Sequence, residues 1–129
     1  MRHAALAFAI AIGVSCGTAG GSAPPSPTPI PGAVVIARAS DHGTVHARVG
    51  DTIQIALGAD YEWHLDPPDG VVLVPGVQRY LLVRGTQAIW TAAAPGTSTV
   101  TATGSVICPS GQACILLALL FTTTVVVAP

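Results

Sequence analysis

Asp60, Glu62, His64 and Asp66 occupy every second position of one short stretch, with Asp69 close behind, and form the densest group of ionisable side chains in the chain. Carboxylates and imidazole can hold a hard cation or move a proton, so their spacing decides what they can do. They alternate with Tyr61, Trp63 and Leu65, which places all four polar groups on one face of an extended strand. Same-face neighbours then stand roughly 7 Å apart, too far for adjacent members to share one ion without ligands from a second strand. The expected role is a solvated strand face, and no metal site is assigned. His42 and His46 read as surface turn and strand residues. No nucleophile elbow, glycine-rich phosphate loop or metalloprotease helix is present, so no catalytic residue and no cofactor is expected, and the chain reads as a non-enzyme.

The cysteines carry more information. There are three, Cys16, Cys108 and Cys114. Structural zinc needs four ligands with cysteines two to four apart, and redox chemistry favours Cys-x-x-Cys; the Cys108/Cys114 spacing serves neither. Around Pro109 and Gly111 it suits a disulfide staple across a hairpin tip, a small ring contributing about 2 kcal/mol. Cys16 is left over. It follows a basic start at Arg2, an apolar run over residues 4–14 that is shorter than the ~20 residues a bilayer span needs, and the small residues Gly13, Val14 and Ser15. This segment resembles a bacterial lipoprotein signal, which implies acylation of Cys16, a membrane anchor and an extracytoplasmic, cell-envelope location. A simple secretory signal cut after Ala19 is the alternative.

Residues 17–32 are rich in Gly, Ser and Pro, with prolines at 24, 25, 27, 29 and 31, and read as a flexible linker that favours extended chain. Residues 33–129 remain, enough for one small domain with a single core. Charged residues make up 9% of the sequence, the formal net charge is -1, and there is no lysine. Such a chain cannot assemble the basic patch that phosphate backbones require, so nucleic acid is excluded as an expected partner.

Short runs of Val, Ile, Thr and Leu separated by Gly, Pro and Asp point to strands throughout. Candidate strand segments cover residues 34–39, 45–49, 53–57, 61–65, 71–74, 77–83, 87–92, 97–103 and 115–128. Within them Val45, Ala47 and Val49 alternate with His46 and Arg48, while Ile53, Ile55 and Leu57 alternate with Thr52, Gln54 and Ala56. Threonines 97, 99, 101 and 103 share a face opposite Ser98, Val100 and Ala102. Turns are expected at Asp41-His42-Gly43, Gly50-Asp51, Pro67-Pro68-Asp69-Gly70 and Ala94-Pro95-Gly96. The last stretch, with an apolar run over residues 115–121, reads as a covered core strand. Trp63 and Trp90 are the expected core anchors, each able to bury 150–250 Å² or so. The sum is an all-β, immunoglobulin-like, antiparallel two-sheet sandwich of about seven or eight strands.

Val49-Gly50-Asp51-Thr52-Ile53-Gln54-Ile55-Ala56-Leu57, Tyr61-Glu62-Trp63, residues 94–102 and residues 121–127 together resemble the framework of chagasin-type inhibitors of papain-like cysteine proteases. The resemblance spans about eighty residues and implies an immunoglobulin-like sandwich. That family's inhibitory loops are not retained: Gly58-Ala59-Asp60 stands where its first contact loop would be, and the Cys108 to Cys114 ring where it carries an Arg-Pro-Trp loop. The expected function is a non-catalytic, extracytoplasmic, lipid-anchored module that binds a protein or envelope component. A divergent cysteine protease inhibitor is the alternative. Candidate binding-loop residues are Ala59, Asp60, Gly85, Pro109, Ser110, Gly111 and Gln112, because rigid loops at one end of a sandwich are where such domains make contacts.

Overall fold

The computed structural model describes residues 17, 20, 27–76 and 82–129. The expected segments at residues 1–16, including the candidate acylation site Cys16, lie outside the described residues. Two four-stranded sheets pack face to face as an all-β, immunoglobulin-like sandwich. One contains β1 (Val34–Ala37), β3 (Thr52–Ala56), β6 (Ala88–Ala92) and β5 (Leu73–Pro75), in the order β1-β3-β6-β5. The other contains β2 (Thr44–Arg48), β8 (Ala118–Ala128), β7 (Gly96–Val106) and β4 (Tyr61–Leu65), in the order β2-β8-β7-β4.

A period of two in the sequence produces this core. In β7, Ser98, Val100 and Ala102 are buried while the intervening threonines face out or lie half-covered. Its partner β8 buries Phe121, Thr123, Val125 and Val127. Ile36, Ile53, Ile55, Leu57, Leu73 and Trp90 close the core from the opposite sheet. Trp90 is 5% exposed. Trp63 is half-buried and packs on the core edge-on to Phe121, with ring centroids 6.5 Å apart.

The sheets are mixed, whereas an antiparallel sandwich was expected. β1 pairs parallel with β3, and β2 parallel with β8. The cause lies at Arg38–Ser40, where a 3₁₀ turn ends the expected strand at Ala37 and carries the chain across to the other sheet. The turn that follows is docked on β8: the Thr122 amide donates to Asp41 Oδ1 at 3.0 Å, the His42 amide to the Thr122 carbonyl, and the Thr124 amide to the Gly43 carbonyl. β1 and β2 therefore run in opposite directions along edges of different sheets.

Three further expectations shift. β3 alternates, yet Gln54 and Ala56 are buried as well as Ile53 and Ile55, because residues 27–30 lie over its outer face. The strand expected at 71–74 is instead β5, displaced towards Pro75, since Asp69 Oδ1 takes the amides of Val71 and Val72, both at 2.6 Å, and holds them in a turn. Of the strand expected at 77–83, residues 77–81 lie outside the described residues, and Leu82 and Val83 are exposed and outside any strand. The last strand begins at Ala118, so Ile115, Leu116 and Leu117 are neither strand nor core.

Candidate functional site

β1 and β3 run towards one end of the sandwich, and β4 and β8 run away from it. That end gathers the turn after β1, the loop at residues 57–60, the stretch 82–87 and the hairpin between β7 and β8. Every candidate loop residue from the sequence falls here.

Two of the loops are locked together by one side chain. Gln87 Oε1 accepts from the Leu57 amide at 2.7 Å while Gln87 Nε2 donates to the Gly58 carbonyl at 2.8 Å. The Gly58 amide in turn donates to the Gly85 carbonyl at 3.1 Å. Both glycines have positive φ, 97° and 91°, a conformation costly for other residues. A Cβ on Gly85 would stand 3.4 Å from both Gly58 Cα and the Pro27 ring. Gly85 is thus a close-packing position, buried under Pro27, while Asp60 is exposed and Ala59 half-covered. Arg38 Nη1 donates to Asp60 Oδ2 at 2.6 Å, and its guanidinium lies 5.0 Å from the Tyr61 ring centroid. With both side chains substantially exposed, this ion pair contributes at most about 1 kcal/mol, but it orients Asp60.

The hairpin rises beyond this floor. Pairing of β7 with β8 ends at Ser105 and Ala118, and Cys108 and Cys114 form a disulfide in the connection that follows. Pro109, Ser110, Gly111 and Gln112 form its exposed polar apex, with the Gln112 amide donating to the Pro109 carbonyl. Below the ring is an apolar flank: Ile107, Ile115, Leu116 and Leu117 are all exposed, Leu116 completely and Ile115 by 81%. With Cys108 and Val106, the last three line an open groove of about 200 Å³. Leu120 adds a further exposed apolar side chain on the outer face of β8. Sequence reasoning placed residues 115–117 in a covered strand and so missed this patch.

The ionisable cluster disperses along β4. Glu62, His64 and Asp66 face solvent on this edge strand, Asp60 is held by Arg38, and Asp69 sits at the opposite end. Among the described residues no three His, Cys, Asp or Glu side chains converge as metal ligands would. Among the described residues Asp69 is the carboxylate whose surroundings move its titration. Partial desolvation opposes ionisation, but hydrogen bonds from the Ser98 side chain and the amides of Val71, Val72 and Leu73 prevail and hold its carboxyl below the usual carboxylate range.

No protein-family model matches the chain, and no curated protein matches it. Among solved structures the chain is similar to the crystal structure of the cysteine protease inhibitor EhICP2 from Entamoeba histolytica, with a TM-score of 0.49 and 17% identity over 74% of this chain and 94% of that one. It is also similar to the solution structure of Amebosin, with a TM-score of 0.44 and 17% identity over 74% of this chain and 98% of that one.

Proposed function

We propose that the protein is a non-catalytic binding module of the cell envelope, held outside the cytoplasm by its N-terminal segment and engaging its target through the loop end. The observation that carries this reading is the disulfide-clamped hairpin with its exposed apolar flank, standing beside a floor fixed by Gln87 and two glycines. A contiguous apolar surface on a small domain marks a site of association. Clamping it lowers the conformational entropy lost when a partner immobilises the loop. The test is retention on isolated envelopes of the protein carrying Cys16→Ser, which removes the candidate acylation site so that only the loop end can hold it. Serine at both Ile115 and Leu116 should abolish retention while leaving the unfolding midpoint unchanged; retention equal to that of Cys16→Ser alone sinks the reading.

A second reading, inhibition of papain-like cysteine proteases, draws on the adjacency of residues 58–60 and the 108–114 ring at one end. The framework that the sequence resembles presents its inhibitory loops from those two places. Titrating papain with the protein decides it, and full protease activity at micromolar protein removes it.

A further inference from the structure

We infer that the apolar flank of the hairpin docks on the lipid bilayer to which the N-terminus is attached. The inference rests on the binding-module reading above and names the partner of that same loop end.

The path of the N-terminal segment supplies the argument. Because β1 runs towards the loop end, its first residue, Val34, lies at the far end. The chain before it nonetheless comes from the loop end. Pro27 packs beside Gly85, Thr28 and Ile30 descend along Gln54, and a turn closed by the Ala33 amide on the Ile30 carbonyl reverses the direction into β1. Pro27 follows Cys16 by only eleven positions, and a fully extended chain gains at most about 3.6 Å per residue, so an anchor at Cys16 holds the loop end within roughly 40 Å of the membrane. The same end carries the exposed flank.

Chemistry agrees with this placement. After Arg84 the chain has no Asp, Glu, Lys, Arg or His, so neither the hairpin nor any of β6 to β8 brings an ion to be desolvated. Arg84, exposed at this end, suits the headgroup layer. Insertion is necessarily shallow, on the order of 5–10 Å, because a loop backbone cannot satisfy its amides and carbonyls in hydrocarbon. Because Ile107, Ile115, Leu116 and Leu117 lie below the polar apex, they reach the acyl boundary only with the hairpin lying on its flank, which leaves Ser110 and Gln112 among the headgroups. The floor of the loop end carries exposed Asp41, His42 and the Arg38–Asp60 pair, so contact is confined to the hairpin; the far end offers exposed Asp66 and Asp69 beside exposed Val71.

The experiment couples the full chain through the Cys16 thiol to maleimide lipid in phospholipid vesicles, with or without bromine on the acyl chains. Leu116→Trp places a quenchable indole on the flank, and Val71→Trp, at a far-end position that is 68% exposed, is the control. Near-ultraviolet circular dichroism from buried Trp90 verifies folding of each variant. The expected result is that emission added by Leu116→Trp shifts to the blue and is mostly lost in brominated vesicles, while emission added by Val71→Trp is the same in both. Unquenched emission from Leu116→Trp, or equal quenching of both variants, overturns the inference. Serine variants that lose envelope retention while Leu116→Trp stays unquenched assign the flank to a protein partner, leaving the binding-module reading intact.

Discussion

Replacing Gly104 with alanine isolates the contact that joins the edge strand β4 to the core. Gly104 lies opposite Trp63 in the β4/β7 ladder, on the inward face of β7, and its φ is not in the left-handed region. Backbone preference alone therefore favours alanine in a strand interior, by about 0.5–1 kcal/mol. Packing opposes it. The added Cβ would stand 2.8 Å from Trp63 Cζ3 and 3.0 Å from Cε3 and Cη2, closer than carbon atoms approach. A rigid indole set between Tyr61, 6.0 Å away edge-on, and Phe121 cannot yield without moving both. Such overpacking costs about 1–3 kcal/mol, so Gly104→Ala should destabilise by roughly 0.5–2 kcal/mol net. Urea denaturation with an unchanged m-value measures it. The double-mutant cycle with Trp63→Leu is the stronger test, because removing the ring should turn Gly104→Ala from destabilising to neutral or stabilising. An alanine variant as stable as the parent, or one with the same loss in the Trp63→Leu background, refutes the account.

Gln54→Leu leaves the Ile30 amide, the Thr28 carbonyl and Thr86 Oγ1 without their shared partner and should cost about 2–3 kcal/mol, with hydrogen exchange of the Ile30 amide accelerating far more than that of β8. Serine at both Cys108 and Cys114 should lower stability by no more than about 2 kcal/mol, since the closed ring is small, while broadening the amide resonances of residues 107–117 and sparing β3 and β6. Asp69 has a lowered pKa when folded, so its contribution is fully present above the ordinary carboxylate value and is lost as pH falls through the folded one. Because solvent screens the exposed carboxylate, Asp69→Ala should cost at most about 1 kcal/mol at neutral pH and flatten the fall in stability below about pH 4; an unchanged acid limb argues against the hydrogen bonds assigned to it.

Where one face of a strand meets the core and the other meets water, the sequence was readable. Ser98, Val100 and Ala102 against the threonines of β7, and Tyr61, Trp63 and Leu65 against Glu62 and His64, point as their alternation requires. Elements failed to match where a single polar side chain or a change of sheet intervened. Nothing in the composition of residues 34–39 marks the passage between sheets at Arg38–Ser40, and Asp69 withdrew the Val71 and Val72 amides from a run that otherwise favours strand. Gln54 looked like a solvent-facing residue because the strap that covers it carries almost no apolar pattern. The apolar flank departs from expectation for a different reason: Ile and Leu have the same composition signal whether covered or bare. The available clue was register. Pairing the threonine face of β7 with residues 118–127 leaves the cysteine ring and its neighbours beyond the sheet.

The placement of the flank at the same end as the N-terminal entry follows from three residues more than from the sandwich itself. Without the turn at Ile30 to Ala33, the chain would leave β1 from the far end, a strand length of about 15–20 Å away, and an anchor would face Asp69 and the Pro67-Pro68 turn. Pro31 and Gly32, the latter at φ 76°, make that turn, and Gln54 fastens the returning segment by accepting from the Ile30 amide and donating to the Thr28 carbonyl, while also donating to Thr86 Oγ1. Thr86, one of its partners, adjoins Gln87, which fixes the loop floor. The side chain that sets where the tether enters is thereby coupled to the loops that carry the hairpin. With the proposed anchor in place, orientation of the domain on it and rigidity of the loop end would be one structural property, and a single substitution at Gln54 should perturb both.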